Sequence, residues 1–371
     1  MPAPRVAWPA PSHGLLYRLL FRLALTRIDA ERAHALAVRS LRRALAVPGA
    51  RPLVARWSRP APALAVDALG TRFASPLGVA AGLDKDGEWF DELGALGFGF
   101  VEVGTVTAIP QAGNPPPRVW RLVDDRALLN AMGFPNAGAA VVARRLRRRS
   151  GRTVVAANVG KSKRAPLDAA GPDYRASVRA VAPEAAFVVL NVSSPNTPGL
   201  REMQGRERLA ALVADVRGEL DAIGVARPLL VKIAPDLSDE QVDELADLAL
   251  ELRLDGLIAT NTTLSREGLR TDPALWRDRP GGVSGAPLRP RSLELLRRLH
   301  ARVGGRLVLI SVGGVESADD VWQRIRAGAT LVQAQTGFIY GGPGWPRAIN
   351  RGLAELARRD GFASVQDAIG R

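Results

Sequence analysis

Eight short apolar runs recur between residues 77 and 334: Leu77–Ala80, Phe100–Val103, Val154–Ala157, Phe187–Leu190, Leu229–Val231, Gly256–Ala259, Leu307–Ile310 and Leu331–Val332. Helix-length patterns follow most of them, over 86–96, 137–149, 205–222, 239–252, 290–303, 317–327 and 346–358. Apolar runs without alternation read as strands buried on both faces, which must then be covered by helices. Eight such β/α units favour closure into an α/β fold of the (β/α)8 TIM-barrel type over an open doubly wound sheet. LAVDALGTRF (64–73) precedes the first run and reads as a strand pair plugging the bottom of the barrel.

A barrel gathers its chemistry at the C-terminal ends of its strands. Those ends read AAGLDK (80–85), EVGTVT (102–107), ANVGKSK (157–163), NVSSPNTPGL (191–200), VKIAPD (231–236), ATNTT (259–263), SVGGVES (311–317) and QAQTGFIY (333–340). The chain uses arginine almost everywhere; its four lysines are Lys85, Lys161, Lys163 and Lys232. Lys85 and Lys232 fall on this rim, where a compact point charge differs in use from a guanidinium. Of eight asparagines, Asn158, Asn191, Asn196 and Asn261 fall there too, and Asn130 lies in the long excursion after the second strand. A purely structural barrel has no reason to collect these residues on one face.

Composition removes several classes of chemistry. There is no cysteine, hence no disulfide, thiolate metal site or cysteine nucleophile. The three histidines, His13, His34 and His300, are far apart, which argues against a histidine metal cluster or a Ser-His-Asp triad. No metal is expected. The formal charge of +14 fits an anionic membrane, nucleic acid, an acidic ligand or simple arginine usage. The run RRLRRRSGR (144–152) lacks interleaved aromatics and reads as the solvated face of a barrel helix, with a nucleic-acid-binding module as the alternative.

Residues 1–47 form a separate unit, 48–63 a linker, and 64–371 the barrel. Residues 1–13 are proline-rich and read as loose. Leu15, Leu16, Leu19, Leu20 and Leu23 recur at helical spacing, with Arg18 and Arg22 on another face. A second amphipathic helix fits 30–46, capped by Asp29, with Ala33, Leu36, Ala37, Leu41 and Leu45 inward. Eight arginines against Asp29 and Glu31 make the first 50 residues basic. A basic amphipathic hairpin suits an anionic membrane surface; packing on its own barrel is the other reading. Charge interrupts the apolar runs too early for a membrane span or a signal peptide.

After strands 7 and 8, Gly313, Gly314, Thr336 and Gly337 read either as a phosphate cradle or as tight turns. No GxGxxG follows a strand, so a nicotinamide-binding unit is not expected. A phosphate site beside several carboxamides points to flavin mononucleotide, FMN. Lys232 or Lys85 would stabilise the negative charge left by a hydride. In a rival reading Lys232 is the Schiff-base nucleophile of a lyase. Asparagines offer donors and acceptors matching the edge of a cyclic amide such as a pyrimidine.

The segments DAERAH (29–34), AAGLDKDGE (80–88), GFVEVGTVT (99–107), NAMGF (130–134), NVGKSK (158–163), NVSSPNTPGLR (191–201), VKIAPDLS (231–238), ATNTTLSR (259–266), GGVSGAPL (281–288), VGGV (312–315) and GFIYGGP (337–343) carry a resemblance. Together they resemble class 2, quinone-dependent, membrane-associated dihydroorotate dehydrogenase. The resemblance implies oxidation of dihydroorotate to orotate, with FMN as hydride acceptor and a membrane quinone as final oxidant, in pyrimidine biosynthesis. It implies Ser194 as general base, for which Thr197 and an enclosed water are relay candidates; class 1 relatives use cysteine there. Asn130, Ala131, Met132, Gly133, Phe134, Asn191, Asn196, Asn261 and Thr262 would surround the substrate, and Lys85 would touch substrate and flavin. Ala81, Gly82, Thr105, Asn158, Asn191, Lys232, Thr260, Gly285, Gly314, Gln335 and Thr336 would hold FMN. His34, Arg121 and Gln335 would border a quinone tunnel through the hairpin. Ala131 replaces the family's usual arginine, Pro135 its asparagine and Gln335 its tyrosine. The expected location is peripheral, on the cytoplasmic face of a bacterial inner membrane.

Overall fold

The computed structural model describes residues 15–371. The proline-rich start, residues 1–13, and the side chains of Leu15, Leu16 and Arg18 lie outside the described residues. All eight anticipated strands are present, as Leu77–Val79, Phe100–Val106, Val154–Val159, Val188–Asn191, Leu229–Ile233, Gly256–Ala259, Val308–Val312 and Leu331–Ala334. They pair in parallel in chain order, and the last closes on the first with Val332 beside Leu77. Nearly every residue in them is buried, as their unbroken apolar runs require.

The strand pair Val66–Ala68 and Thr71–Phe73 closes the bottom. Phe73 enters the barrel and meets Phe100 and Phe187 edge-on, with ring centres 5.3 and 6.4 Å away. Such pairs add about 0.5–1.5 kcal/mol each beyond area burial. A helix also follows the third strand, Ala170–Val181. Gly171 and Pro172 disguise it, but proline in a first turn forfeits no intrahelical bond.

The excursions after strands 2 and 6 form an antiparallel sheet of Val119–Leu122, Ala127–Asn130 and Gly282–Gly285. It stands on the C-terminal rim and sets Asn130 opposite Gly282. The sequence pattern did not disclose it.

The N-terminal hairpin comprises helices Leu15–Leu23 and Ala30–Ala46. Asp29 caps the second by accepting from the N–H groups of Glu31 and Arg32. The stretch read as a linker carries a third helix, Ala50–Trp57, entered through Gly49. Among the described side chains, the first helix docks through Tyr17 and Phe21 and not through Leu19, Leu20 and Leu23. Phe21 is buried with its ring 4.9 Å from that of Tyr340, and the Tyr17 hydroxyl donates to the Ile339 carbonyl (2.7 Å). Arg118 pairs with Glu31 at 3.0 Å, and Arg121 donates to the Ile28 carbonyl at 2.8 Å. Leu19, Leu20 and Leu23 remain about half exposed. On the second helix Ala33, Val38, Leu41 and Leu45 turn toward the protein, whereas Leu36 and Ala37, expected inward, are exposed. Contact with a flat barrel rim selects a narrower stripe than hydrophobicity alone suggests.

Candidate active site

Glu102 is a buried carboxylate inside the barrel. It sits in a strand whose every residue is buried, and it is itself fully enclosed. Four donors converge on its two oxygens: Asn158 Nδ2 at 2.5 Å, Gln333 Nε2 at 2.7 Å, the Ala81 N–H at 3.4 Å and Lys232 Nζ at 3.4 Å. An ionised carboxylate has about four lone-pair sites and can accept all of them.

From this anchor a chain of carboxamides climbs to the rim. Thr105 Oγ1 donates to Asn158 Oδ1 (2.6 Å), and Asn191 Nδ2 donates to Thr105 Oγ1 (2.9 Å). Asn261 Nδ2 donates in turn to Asn191 Oδ1 (3.2 Å) and Ser193 Oγ (3.0 Å). Each member fixes the next rotamer, so the set is rigid before any ligand arrives. Lys232, Thr260, Asn261 and Thr262 line a cleft of about 80 Å³, shared with Ala81, Gly285, Gly313–Val315 and Gln333–Gly337.

The glycine turn after strand 7 is held from behind. Arg324, almost wholly buried, donates to the Gly313 carbonyl, and Arg289 Nε donates to the Gly314 carbonyl at 2.9 Å. In a trans peptide the carbonyl and the following N–H point opposite ways. Drawing both carbonyls away therefore turns the N–H groups of Gly314 and Val315 toward the cleft. Thr336 and Gly337 open a short helix, so their N–H groups have no intrahelical acceptor. Gly314 has φ +69°, and an added Cβ would lie 2.4 Å from Arg289 Cβ, so only glycine fits. Ser284 Oγ bonds Thr336 Oγ1 (2.8 Å) across the same end.

Over the other end lies NVSSPNTPGL. Ser194 is 5% exposed, and its hydroxyl accepts the Asn196 N–H at 3.2 Å; no side chain among the described residues bonds to it. Thr197 is equally buried but does not bond Ser194. Asn196 Nδ2 donates to Asn130 Oδ1 at 3.1 Å. Arg201 clamps the loop: it donates to Ser193 O (3.1 Å) and Thr262 O (3.1 Å) and pairs with Asp236 (2.8 Å). Around Asn130, Asn114 donates to Ala131 O (2.9 Å), and Gln111 donates to the carbonyls of Gly133 and Phe134. The Met132 carbonyl accepts from the Asn114 N–H (2.9 Å). Ala131, lacking the family's arginine, is buried.

The tunnel candidates do not bond one another. His34 stacks edge-on against Trp89 at 5.8 Å, Arg121 is tied to Ile28, and the Gln335 side chain lies against Gly82. Burial, helped by nearby Lys85, holds the His34 imidazole down to about 4, so it is neutral at pH 7. Lys85 lies within electrostatic reach of Glu31 and His34 and bonds none of the asparagines. Its dense surroundings hold its ammonium below the usual lysine range, against the pull of Glu31, although part of the side chain meets solvent.

Glu102, Gln333, Asn114, Ser193, Ser284, Arg201, Arg289 and Arg324 were not anticipated as site residues. A charged residue inside the otherwise apolar FVEVGTV was the available signal for Glu102.

The sequence profile described as dihydroorotate dehydrogenase matches residues 63–357. The dihydroorotate dehydrogenase (quinone) of Thermobifida fusca is 56% identical over 366 residues, 96% of each chain. The chain belongs to the quinone-dependent dihydroorotate dehydrogenases. The enzyme of the same name from Streptomyces coelicolor is 53% identical over 362 residues, covering 96% of this chain and 98% of its own. The crystal structure of DHODH from Eimeria tenella in complex with ferulenol superposes with a TM-score of 0.84 at 37% identity, covering 96% of this chain and 98% of that one. A ligand-free form gives 0.79 at 39%, covering 86% and 97%. As a quinone-dependent dihydroorotate dehydrogenase the protein is an FMN-dependent oxidoreductase converting dihydroorotate to orotate in pyrimidine biosynthesis. The lyase alternative for Lys232 falls with that assignment.

The residues present suit FMN. The N–H groups of the glycine turn meet the needs of a phosphate. Gln333 Oε1, Ser311 Oγ and Thr262 Oγ1 are buried without a partner among the described residues, two of them on residues lining the cleft. Buried polar atoms of that kind await a ligand or water.

Proposed function

We propose that the cleft holds FMN with its phosphate on Gly314, Val315, Thr336 and Gly337, and its ring beside Lys232, Asn158, Asn191, Thr105, Thr260 and Ala81. Gly82, Gly285 and Gln335 border it. When bound, the flavin supplies the two-electron acceptor for the C6 hydride of dihydroorotate. Asn130, Asn191, Asn196, Asn261 and Thr262 orient the substrate's cyclic amide, with Ala131, Met132, Gly133 and Phe134 shaping the wall and Lys85 supplying positive charge. Ser194 takes the C5 proton under a loop that excludes water. A proton and a hydride leave the substrate, and orotate results.

The observation that carries this reading is the unbroken chain of hydrogen bonds from Glu102 through Asn158, Thr105 and Asn191 to Asn261, ending under the Ser194 loop. Such a preorganised array fits a flat heterocycle with alternating donors and acceptors. Asn196→Ala is expected to weaken orotate binding to the oxidised holoenzyme at least tenfold, about 1.4 kcal/mol, with flavin content unchanged. The check is a titration followed through the flavin spectrum; an unchanged dissociation constant would remove Asn196 from the substrate site.

The hairpin gives quinone its route. Tyr17, Phe21, Arg121 and Tyr340 form one cluster at the hairpin, and His34, Trp89 and Lys85 another. Among the described residues no helix is long and apolar enough to cross a membrane. The exposed leucines and surrounding arginines support docking on an anionic bilayer, and we place the enzyme on the cytoplasmic face of a bacterial inner membrane.

A further inference from the structure

We propose that Glu102 is a positioning residue that sets the electron affinity of the flavin by neutralising Lys232 from below. This rests on the placement of FMN beside Lys232.

Lys232 is 4% exposed, and among the described residues Glu102 is its one ion-pair partner, at 3.4 Å. Glu102 is 0% exposed and faces no other cation among the described residues within ion-pair distance. Its remaining acceptor capacity is taken by Asn158, Gln333 and the Ala81 N–H. The pair is thus sealed from solvent and screened by little but those amides. In such surroundings charges act over distance far more strongly than in water. A ring lying on Lys232 therefore experiences an ion pair, not an isolated cation.

The sign follows from the electron count. The hydride leaving dihydroorotate carries two electrons and one proton, and the substrate loses a second proton to the base. The acceptor gains one negative charge. Lys232 favours that charge and Glu102 opposes it. Glu102 therefore holds the reduced cofactor at an energy from which it gives its electrons up readily to the quinone. The same carboxylate orients Asn158, so one buried group fixes both geometry and potential.

The test is an anaerobic redox titration of the full-length, FMN-bound enzyme, with flavin content measured alongside. Glu102→Gln is nearly isosteric. The free Oε1 of Gln333 can turn to accept from the new amide. It is expected to shift the reduced-to-oxidised equilibrium at least tenfold toward reduced flavin, a rise of ~30 mV for a two-electron couple. Lys232→Met is expected to shift it at least tenfold the other way. Mere loosening of the site would move both variants in the same direction. A fall with Lys232→Met but no rise with Glu102→Gln overturns the role of Glu102 and leaves the flavin placement standing. No shift in either places the flavin away from Lys232 and overturns the reading beneath. Should Glu102→Gln yield no folded flavoprotein, the double variant is compared with Lys232→Met alone. Removing both buried charges avoids an unpaired one, and the double variant is expected to titrate at the higher potential; equal potentials overturn the proposal.

Discussion

Ser194→Ala is expected to slow anaerobic reduction of the flavin by dihydroorotate by ~10²–10⁴-fold, the usual contribution of a positioned general base, while the protein keeps its bound FMN. The hydroxyl is buried beneath its loop and receives the Asn196 N–H, and no side chain among the described residues bonds to it. Its loss removes an acceptor for the substrate proton and the acceptor of the Asn196 N–H. The loop stays clamped because Arg201 grips the Ser193 carbonyl and Asp236, not Ser194. Serine is a poor base in water, so the role requires a desolvated site and a path for the proton onward. Thr197 is buried nearby without bonding Ser194, so a relay between them must run through water or a small loop adjustment once substrate is bound. Stopped-flow absorbance is the measurement. A variant reducing its flavin at the wild-type rate would take Ser194 out of the mechanism.

The second large effect concerns the membrane. Replacing Leu19, Leu20 and Leu23 together by aspartate is expected to lower partition onto anionic vesicles by at least ~100-fold. About half of each side chain is already covered, so further burial is worth about 1 kcal/mol per leucine. Three such terms sum to about 3 kcal/mol, and aspartate adds repulsion from the lipid headgroups. The hairpin keeps its place because Phe21, Tyr17 and the Glu31–Arg118 pair hold it to the barrel. Reduction of the flavin by dihydroorotate should persist, and turnover with quinone embedded in vesicles should fall with the loss of binding. These substitutions are cleaner than deleting residues 1–47, which also strips those docking contacts from the rim. Vesicle co-sedimentation decides the point: unchanged partition would mean that the leucine face serves something other than a bilayer.

The barrel was legible because a strand buried on both faces must be written in unbroken apolar residues. The eight runs located all eight strands. The side sheet was not legible: Val119–Leu122 and Gly282–Gly285 are four residues each, and the second is half glycine, so neither shows a period. The rim asparagines were visible through their scarcity and their position after strands. Glu102 was hidden by its surroundings, since its meaning depends on Asn158, Gln333 and Lys232 arriving from other strands. Arg324 was hidden by abundance, as one arginine among many. The inward face of the hairpin was misread at Leu36 and Ala37 because periodicity reports amphipathicity, not which apolar residues meet protein and which meet another apolar phase.

The most direct test is a visible spectrum of the purified enzyme under anaerobic conditions, before and after one equivalent of dihydroorotate. The flavin absorbance should bleach, and it should return when a short-chain quinone is added without oxygen. A flavin band that dihydroorotate leaves untouched would contradict the site described here, and the burial of Ala131 where the family carries an arginine would be the first place to look.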